Sequence, residues 1–250
     1  MYNTIVHKLH EVEQNYHVKL LYVAESGSRA WGFSSTDSDY DVRGIFIHPE
    51  TAYLSIDPPQ KTFEWIENKW FDVGAWDIRM ALKLLRKSNC VLFEWLQSPI
   101  VYQQYPAIQS ELFALAEQYY QPKAILHHYR GIAKTASASM SGNEIRLKKW
   151  FYLLRALLAA NWMVKCNSIP PMQLVQLLVI LPETEQYEIL ELVQFKADKN
   201  EHFLWTPTLS MQQLIDRLWQ ETNIKLGNRK TSGNELLNQW FRKKLDEIDN

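Results

Sequence analysis

Hydrophobic positions in the first hundred residues follow first the spacing of a helix and then the continuous runs of buried strands. Apolar side chains recur every three or four residues over residues 3–16, which predicts an amphipathic helix carrying Ile5, Leu9, Val12 and Tyr16 on one face. Apolar runs predict buried strands over 18–26 and 41–49. Residues 61–77 predict two further strands, joined as a hairpin through an Asn-Lys turn.

From about residue 105 onward the apolar spacing is that of helices. The longest such segment, 143–166, places Leu147, Phe151, Leu154 and Leu158 on one face. Asp77 stands where it would cap the helix that follows the hairpin, and Ser210 with Gln213 forms a capping-box pattern. We therefore predict an α+β protein: a mixed sheet with flanking helices in residues 1–105, followed by an all-helical domain in residues 106–250.

Charge, apolar run length and cysteine context exclude some classes of protein but do not identify a single class. The formal net charge is −1, so no global basic field marks an obligate nucleic-acid binder, although a local basic cleft can still bind an RNA end. No apolar run has the length of a membrane span, and we expect no membrane segment. Cys90 and Cys166 stand in apolar helical contexts without metal-ligand spacing, which predicts buried thiols and a cytoplasmic protein.

The segment "ESGSRAWGFSSTDSDYDVRGIFIHP" (25–49) concentrates the polar residues with chemical potential. Gly27 and Gly32 have the spacing of a Walker A loop, but Phe33 stands where that loop needs its lysine. Asp37, Asp39 and Asp41 have the spacing of an EF-hand, but Val42 and His48 replace its glycine and its bidentate glutamate. Both of these interpretations fail.

Two interpretations remain open. Asp39 and Asp41 lie two apart at the mouth of a strand, so their side chains point to one face, about 7 Å apart along it. Such a pair can share two Mg²⁺ ions with substrate phosphates. Gly27 and Ser28 could offer N–H and hydroxyl groups to a triphosphate, because glycine permits close approach. The alternative is a solvated polar turn, with Asp37 as a turn residue.

Gly-Ser followed ten residues later by Asp-Tyr-Asp resembles the signature of the DNA polymerase beta-like nucleotidyltransferase superfamily. The string 27–47 resembles the branch that includes the RNA repair pathway polymerase beta (RlaP-like) family. Three later segments resemble the same branch: 76–102, with its Asn89 and Glu94, the "RLKKWFYLLRALLAANWM" helix of 146–163, and the Pro-Pro turn of 169–172. The resemblance covers most of residues 20–172.

The resemblance implies a polymerase beta-like catalytic domain in 1–105 and a helical domain closing the nucleotide cleft in 106–250. It implies that Asp39 and Asp41 ligate metal and that Gly27 and Ser28 hold nucleotide phosphates. A third carboxylate of the superfamily corresponds to Asp72 or Asp77, and we favour Asp72 because capping already explains Asp77.

Cationic and aromatic residues complete the expected nucleotide site. Arg29 could contact phosphate, or be a surface arginine. Lys148, Tyr152 and Arg155 follow i, i+4, i+7, and with Lys149 they could bind the triphosphate or the acceptor; the alternative is a solvated basic stripe.

The function that we predict is a Mg²⁺-dependent nucleotidyltransferase, with two metal ions held by Asp39, Asp41 and Asp72, and Mn²⁺ as a substitute. It would transfer NMP from an NTP, by default ATP, to a hydroxyl of an RNA end, a protein or a small molecule, releasing pyrophosphate. The rival is a non-catalytic nucleotide-binding or toxin-neutralising partner protein on the same fold. The sequence leaves the oligomeric state open.

Overall fold

The computed structural model describes residues 1–68, 71–140 and 142–249. Its strands are β1 (Lys19–Ser26), β2 (Tyr40–Ile47), β3 (Thr62–Asn68), β4 (Phe71–Asp77), β5 (Val101–Gln104), β6 (Ile145–Arg146) and β7 (Leu204–Trp205). Its α-helices are α1 (Tyr2–Tyr16), α2 (Gly27–Trp31), α3 (Glu50–Tyr53), α4 (Ile78–Arg86), α5 (Cys90–Trp95), α6 (Ile108–Tyr119), α7 (Pro122–Ala138), α8 (Leu147–Cys166), α9 (Leu174–Leu177), α10 (Glu183–Ala197), α11 (Leu209–Glu221) and α12 (Glu235–Asp249), and a 3-10 turn spans Leu178–Ile180.

Five strands form one mixed sheet in the order β3-β4-β2-β1-β5. β2 and β4 run parallel, whereas the pairs β1–β2, β1–β5 and β3–β4 are antiparallel. The α+β prediction is confirmed, since helices make up the C-terminal region apart from the two-residue strands β6 and β7. The predicted hairpin also forms, although residues 69 and 70, at its turn, lie outside the described residues.

Three of the four residues predicted on the apolar face of α1 are buried as their spacing predicts. Ile5, Leu9 and Val12 are buried and belong to one hydrophobic cluster with the sheet, whereas Tyr16 is exposed. From the strands, that cluster includes Leu20 and Val23 of β1, Val42 and Phe46 of β2, and Val73 and Ala75 of β4. Burial of these side chains therefore fixes the register of β1 and β2, and the register fixes the position of the polar residues at their ends.

The chain packs into two units that do not follow chain order. The first comprises Met1–Gly27, Asp39–Tyr119 and Lys230–Asn250, and contains the five-stranded sheet. The second comprises Ser28–Ser38 and Tyr120–Arg229. The predicted boundary at residue 105 divides the chain once into two consecutive domains, whereas each packing unit combines several segments. The predicted boundary stays a prediction.

Several local predictions were wrong. The long helix begins at Leu147 rather than near residue 143, because residues 145–146 pair with β7. α11 is capped by Thr208, whose hydroxyl accepts from the Met211 N–H, and not by Ser210. Cys90 is buried as expected, but Cys166 is exposed. Among the described residues, no helix combines the length and hydrophobicity needed to cross a membrane.

Candidate active site

The parallel register of β2 and β4 places two carboxylates side by side. Asp41 pairs with Asp72 across the two strands, so their side chains leave the same face of the sheet. Both side chains keep part of their surface exposed, 37% for Asp41 and 44% for Asp72. The pair is therefore accessible to a ligand while its backbone is held within the sheet.

Arg43 joins these two carboxylates. It lies two residues after Asp41 on β2, and its Nη2 is 2.7 Å from Asp72 Oδ2 and 3.5 Å from Asp41 Oδ1. Its Nη1 donates to the carbonyls of Val42 and Asp72. The two carboxylates thus converge on a single cationic nitrogen, which is the arrangement expected of oxygen ligands that share a cation.

Gly27 makes room for the Asp41 carboxylate. A Cβ at this position would stand 2.3 Å from Asp41 Oδ2, and the φ angle of Gly27 is +68°, in the left-handed region. Both observations require glycine, one for space and one for backbone conformation. The backbone at Gly27 and the carboxylate of Asp41 therefore lie close together at the end of β1.

Glu25 supports this end of the sheet from within. Its side chain is fully buried, and its Oε1 accepts from the backbone N–H of Asp41 at 2.9 Å. Its Oε2 accepts from the hydroxyl of Tyr102, on β5. These hydrogen bonds fix the backbone from which the Asp41 side chain projects.

Asp39 is the third of the predicted metal ligands. It precedes β2 by one residue, and it is exposed. Among the described residues, no three His, Cys, Asp or Glu side chains are grouped closely enough to hold a metal ion. The structure therefore brings together Asp41 and Asp72, and the three-carboxylate ligand set stays a prediction.

Asp77 has the structural role that its position predicts. Its Oδ1 accepts from the N–H groups of Arg79 and Met80 at the start of α4. Its Oδ2 accepts from the hydroxyl of Tyr53, and burial together with this bond raises the pKa of Tyr53. Asp77 is 1% exposed and pairs with Phe46 rather than with Asp41, so its surroundings are those of a helix cap.

Ser28 and Arg29 hold their own loop together within the second unit. The Ser28 hydroxyl is buried and donates to Ser38 Oγ at 3.2 Å. Arg29 Nη2 donates to the Ser38 carbonyl at 2.6 Å, and Ser38 Oγ accepts from the Ser35 N–H. The loop 28–38 is therefore closed by its serines, and phosphate binding by Ser28 and Arg29 stays a prediction.

The predicted face of α8 packs against this loop. The Trp31 ring lies 5.0 Å from Tyr152 and under the Arg155 guanidinium, at 4.4 Å, while Lys148 forms an ion pair with Glu201. Arg155 is buried and donates to the Met172 carbonyl from Nε and Nη2. Nucleotide binding by Tyr152, Arg155 and the half-buried Lys149 stays a prediction.

Lys196 also anchors the loop 28–38. It is 3% exposed, and its Nζ donates to the Phe33 carbonyl and to Ser35 Oγ. Burial lowers the pKa of Lys196 to about 8, against the opposing effects of the nearby Glu201 and Asp37. The loop is thus tied to α10 by a buried amine.

Comparison with known proteins identifies the family. The model of the RNA repair pathway DNA polymerase beta family, RlaP, matches residues 1–243. The chain belongs to this family. The RlaP family is DNA polymerase beta-like, which points to nucleotidyltransferase activity at the level of the family.

One relative is the Bacillus subtilis (strain 168) protein named "Uncharacterized protein YcgL". It is 40% identical over 173 residues, which are 69% of this chain and 66% of that protein. The match spans just under two thirds of the relative's length.

Arg43 and Glu25 are residues of this RlaP chain that the sequence reasoning missed. Arg43 alternates with Asp41 along a predicted strand, so the period of two places it on the face of that aspartate. Glu25 interrupts the apolar run of β1, and a carboxylate in a buried strand needs partners. Both signals were present in the printed sequence.

A cavity of about 310 Å³ adjoins the carboxylate pair in the first unit. Arg43 and Asp72 line it on one side, and Trp76, Val91 and Trp95 line it on another. The rings of Trp76 and Trp95 are 4.0 Å apart, and the buried Trp95 Nε1 has no hydrogen-bond partner among the described residues. The cavity thus combines a carboxylate, a cation and aromatic surface.

Proposed function

We propose that this chain is a Mg²⁺-dependent nucleotidyltransferase that transfers NMP from an NTP to a hydroxyl acceptor. The observation that carries the proposal is the pairing of Asp41 with Asp72 on β2 and β4, with Gly27 leaving space beside Asp41. Membership of a DNA polymerase beta-like family supports the same chemistry.

The donor atoms of the pair fit a divalent cation. Oxygen ligands suit Mg²⁺, which is held in proteins by one or two carboxylates together with substrate phosphates. Asp41 and Asp72 would hold the metal, with Asp39 joining them as the third ligand. When bound, Mg²⁺ would neutralise the charge of the triphosphate and of the departing pyrophosphate.

The residues of the chain would orient the reactants. The acceptor oxygen forms a bond to the α-phosphorus, the bond from that phosphorus to the bridging oxygen of the β-phosphate breaks, and pyrophosphate leaves. Asp72, which borders the cavity beside the pair, would accept the proton of the attacking hydroxyl. Gly27 and Ser28 would hold the triphosphate through backbone N–H groups, and Arg29, Lys149, Tyr152 and Arg155 would contact the nucleotide.

We propose ATP as the default NTP and an RNA end as the acceptor. The family description, which names an RNA repair pathway, supports RNA as the acceptor. Each of the four α-labelled NTPs is incubated with the protein, Mg²⁺ and total RNA, and the label is followed into RNA, protein and small molecules. We expect label in RNA from the wild type and none from Asp41→Asn. Asp57→Asn, an exposed carboxylate outside the site, is the matched control and keeps full activity.

Label in RNA that persists at wild-type level in Asp41→Asn would overturn the site. Calorimetric titration with Mg²⁺ and each NTP provides a second readout that does not need the acceptor. Metal-dependent NTP binding should be lost in the Asp39→Ala/Asp41→Ala variant. Binding that survives in this double variant would equally overturn the proposed site.

A second candidate is a non-catalytic nucleotide-binding or toxin-neutralising partner protein. The observation in its favour is that Arg43 already supplies a cation to both carboxylates. This candidate predicts NTP binding without transfer to any acceptor. The labelling experiment separates the two, because only the enzyme forms a labelled product.

A further inference from the structure

The groove between α4 and α12, within the first unit, is strongly basic. It contains a cavity of about 350 Å³ whose cations come from α4: Arg79, Lys83 and Arg86. The segment at and just before α12 contributes Asn234, Asn238 and Phe241. None of the described residues that line this cavity carries a carboxylate.

An adjoining cavity of about 290 Å³ is also lined by cationic side chains. It shares Arg79 and Lys83 with the first cavity and adds Lys61. Its carboxylate, Asp77, is 1% exposed and already accepts from two backbone N–H groups and Tyr53. Four cationic side chains therefore line two adjoining cavities that share Arg79 and Lys83, and the buried Asp77 lies near Arg79, with 3.7 Å between its Oδ1 and Arg79 Nε.

Lys83 and Arg86 are the two of these cations that are most available to a ligand, whereas Arg79 is already engaged within the chain. Lys83 is exposed and forms no hydrogen bond or ion pair with the described part of the chain. Arg86 is exposed, and its Nη1 donates to Asn234 Oδ1, a neutral partner. Arg79 lies over the Tyr53 ring at 4.2 Å, with its Nε 3.7 Å from Asp77.

The spacing of the cations fits a chain of phosphates better than a single phosphate. Arg79, Lys83 and Arg86 follow i, i+4, i+7, so they share one face of α4 and spread over about 10 Å. Beneath them lie the apolar side chains Leu82 and Leu237 and the aromatic ring of Phe241. Cations along a groove with an aromatic surface are the features that bind a single strand of nucleic acid.

We infer that the α4–α12 groove binds the phosphate backbone of single-stranded RNA. Lys61, Arg79, Lys83 and Arg86 contact phosphates, and Asn234, Asn238 and Phe241 contact sugars and bases. Asp72 and Asp77 are five residues apart on β4, about 17 Å along the strand, and the strand's period of two directs their side chains to opposite faces of the sheet. The role of this groove as an acceptor site rests on the proposed function, whereas the binding does not.

The test measures binding without NTP or metal. The anisotropy of a fluorescent single-stranded RNA of about 12 nucleotides is followed with the full chain, from about 50 to about 200 mM NaCl. In Lys83→Gln/Arg86→Gln we expect about tenfold weaker binding at low salt. The slope of log K against log salt should shrink by about 1.4, since each lost phosphate contact removes about 0.7 in a single strand.

The matched control is Lys123→Gln/Lys134→Gln, which removes two exposed cations from α7 and gives the same net charge. We expect its affinity to stay within about twofold of the wild type. Equal losses in the two double variants, or no loss in Lys83→Gln/Arg86→Gln, would overturn the inference. So would binding to phosphatidylserine vesicles without binding to RNA.

Two further variants keep the result interpretable. Lys83→Gln alone changes an exposed side chain that has no partner in the described part of the chain, so it gives a folded protein with an intermediate loss if the double variant does not fold. Asp41→Asn should bind RNA like the wild type. If it does, and the wild type transfers no nucleotide, the proposed function fails while the RNA site stands.

Discussion

Gly27, beside the carboxylate pair, must be glycine for two reasons: the space next to Asp41 and the backbone conformation at residue 27. Gly27→Ala adds a Cβ 2.3 Å from Asp41 Oδ2, at a φ of +68°. The left-handed backbone alone costs about 1–2 kcal/mol. Because Asp41 must also move, we expect nucleotidyl transfer to fall on the order of 100-fold. Urea unfolding and the labelling assay measure the two effects separately.

Gly32→Ala is the control for this prediction. Gly32 also has a positive φ, of +88°, but nothing lies within 4 Å of a Cβ placed there. It should therefore lose stability as Gly27→Ala does and keep its activity. Equal activity in the two variants would contradict the role given to Gly27.

Arg43 competes with a metal for the same carboxylate oxygens. In Arg43→Met, Asp41 and Asp72 lose the guanidinium that contacts both. We expect Mn²⁺ to bind more tightly in the absence of nucleotide, because like charges left without a partner favour a cation. Electron paramagnetic resonance of free Mn²⁺ measures the change. Arg217→Met, which breaks an ion pair with Glu185 elsewhere, should leave Mn²⁺ binding unchanged, and weaker binding in Arg43→Met would contradict the prediction.

At the scale of elements, β4 carries two carboxylates with different roles: Asp72 is proposed to act in the chemistry, and Asp77 caps a helix. Asp77→Ala removes a helix cap and leaves the Tyr53 hydroxyl without its acceptor, so we expect a loss of about 2 kcal/mol or more in unfolding free energy. Asp72→Ala should cost less than about 1 kcal/mol, because its ion pair is partly exposed, but should abolish transfer. The reverse pattern in urea unfolding and labelling would make Asp77 the third carboxylate.

Lys196 makes the attachment of loop 28–38 to α10 dependent on pH. Its pKa is lowered from 10.5 to about 8, so between these values the unfolded chain binds more protons than the folded one. The contribution of this lysine to stability is therefore fully present above 10.5 and is lost as pH falls through about 8. Glu201, Lys148 and Asp37 are the charged groups near it.

Lys196→Met isolates this effect. The difference in unfolding free energy between wild type and variant should shift in favour of the wild type as pH rises from about 8 towards 10.5. Denaturation of both proteins across this range measures the difference. A difference that stays constant with pH would mean that Lys196 keeps its ordinary pKa.

The elements could be predicted where burial and capping act locally. The periodicity of α1, the runs of β1 and β2 and the cap at Asp77 each depend on residues close in the chain. The pairing of Asp41 with Asp72 could not be read in this way, since it depends on the parallel register of two strands separated by β3. For the same reason Arg43, although visible on the strand, had no partner to suggest its role.

At the scale of the molecule, the packing units cut across the boundary that the sequence suggests. Loop 28–38 lies early in the chain, yet Phe33 stacks on Phe151 of α8 and its carbonyl accepts from Lys196. Within the first unit, the α4–α12 groove needs residues 230–250, and α6 packs against α4. Chain order carries no information about such distant packing, so the sequence alone does not predict which segments share a packing unit, and the boundary near 105 stays a prediction.

A fragment of residues 1–105 tests that boundary. It keeps all five strands of the sheet but lacks α6, α12 and the partners of loop 28–38. We expect it to unfold without a cooperative transition in urea and to show poorly dispersed amide resonances, because apolar faces of α4 and the loop lose their cover. A chain joining residues 1–119 to 230–250 through a Gly/Ser linker contains the whole first unit together with loop 28–38, whose partners in the second unit are missing, and it should unfold cooperatively. Cooperative unfolding of fragment 1–105 would instead establish the sequence boundary as a folding boundary, with α6 and α12 as additions to a sheet that is stable alone.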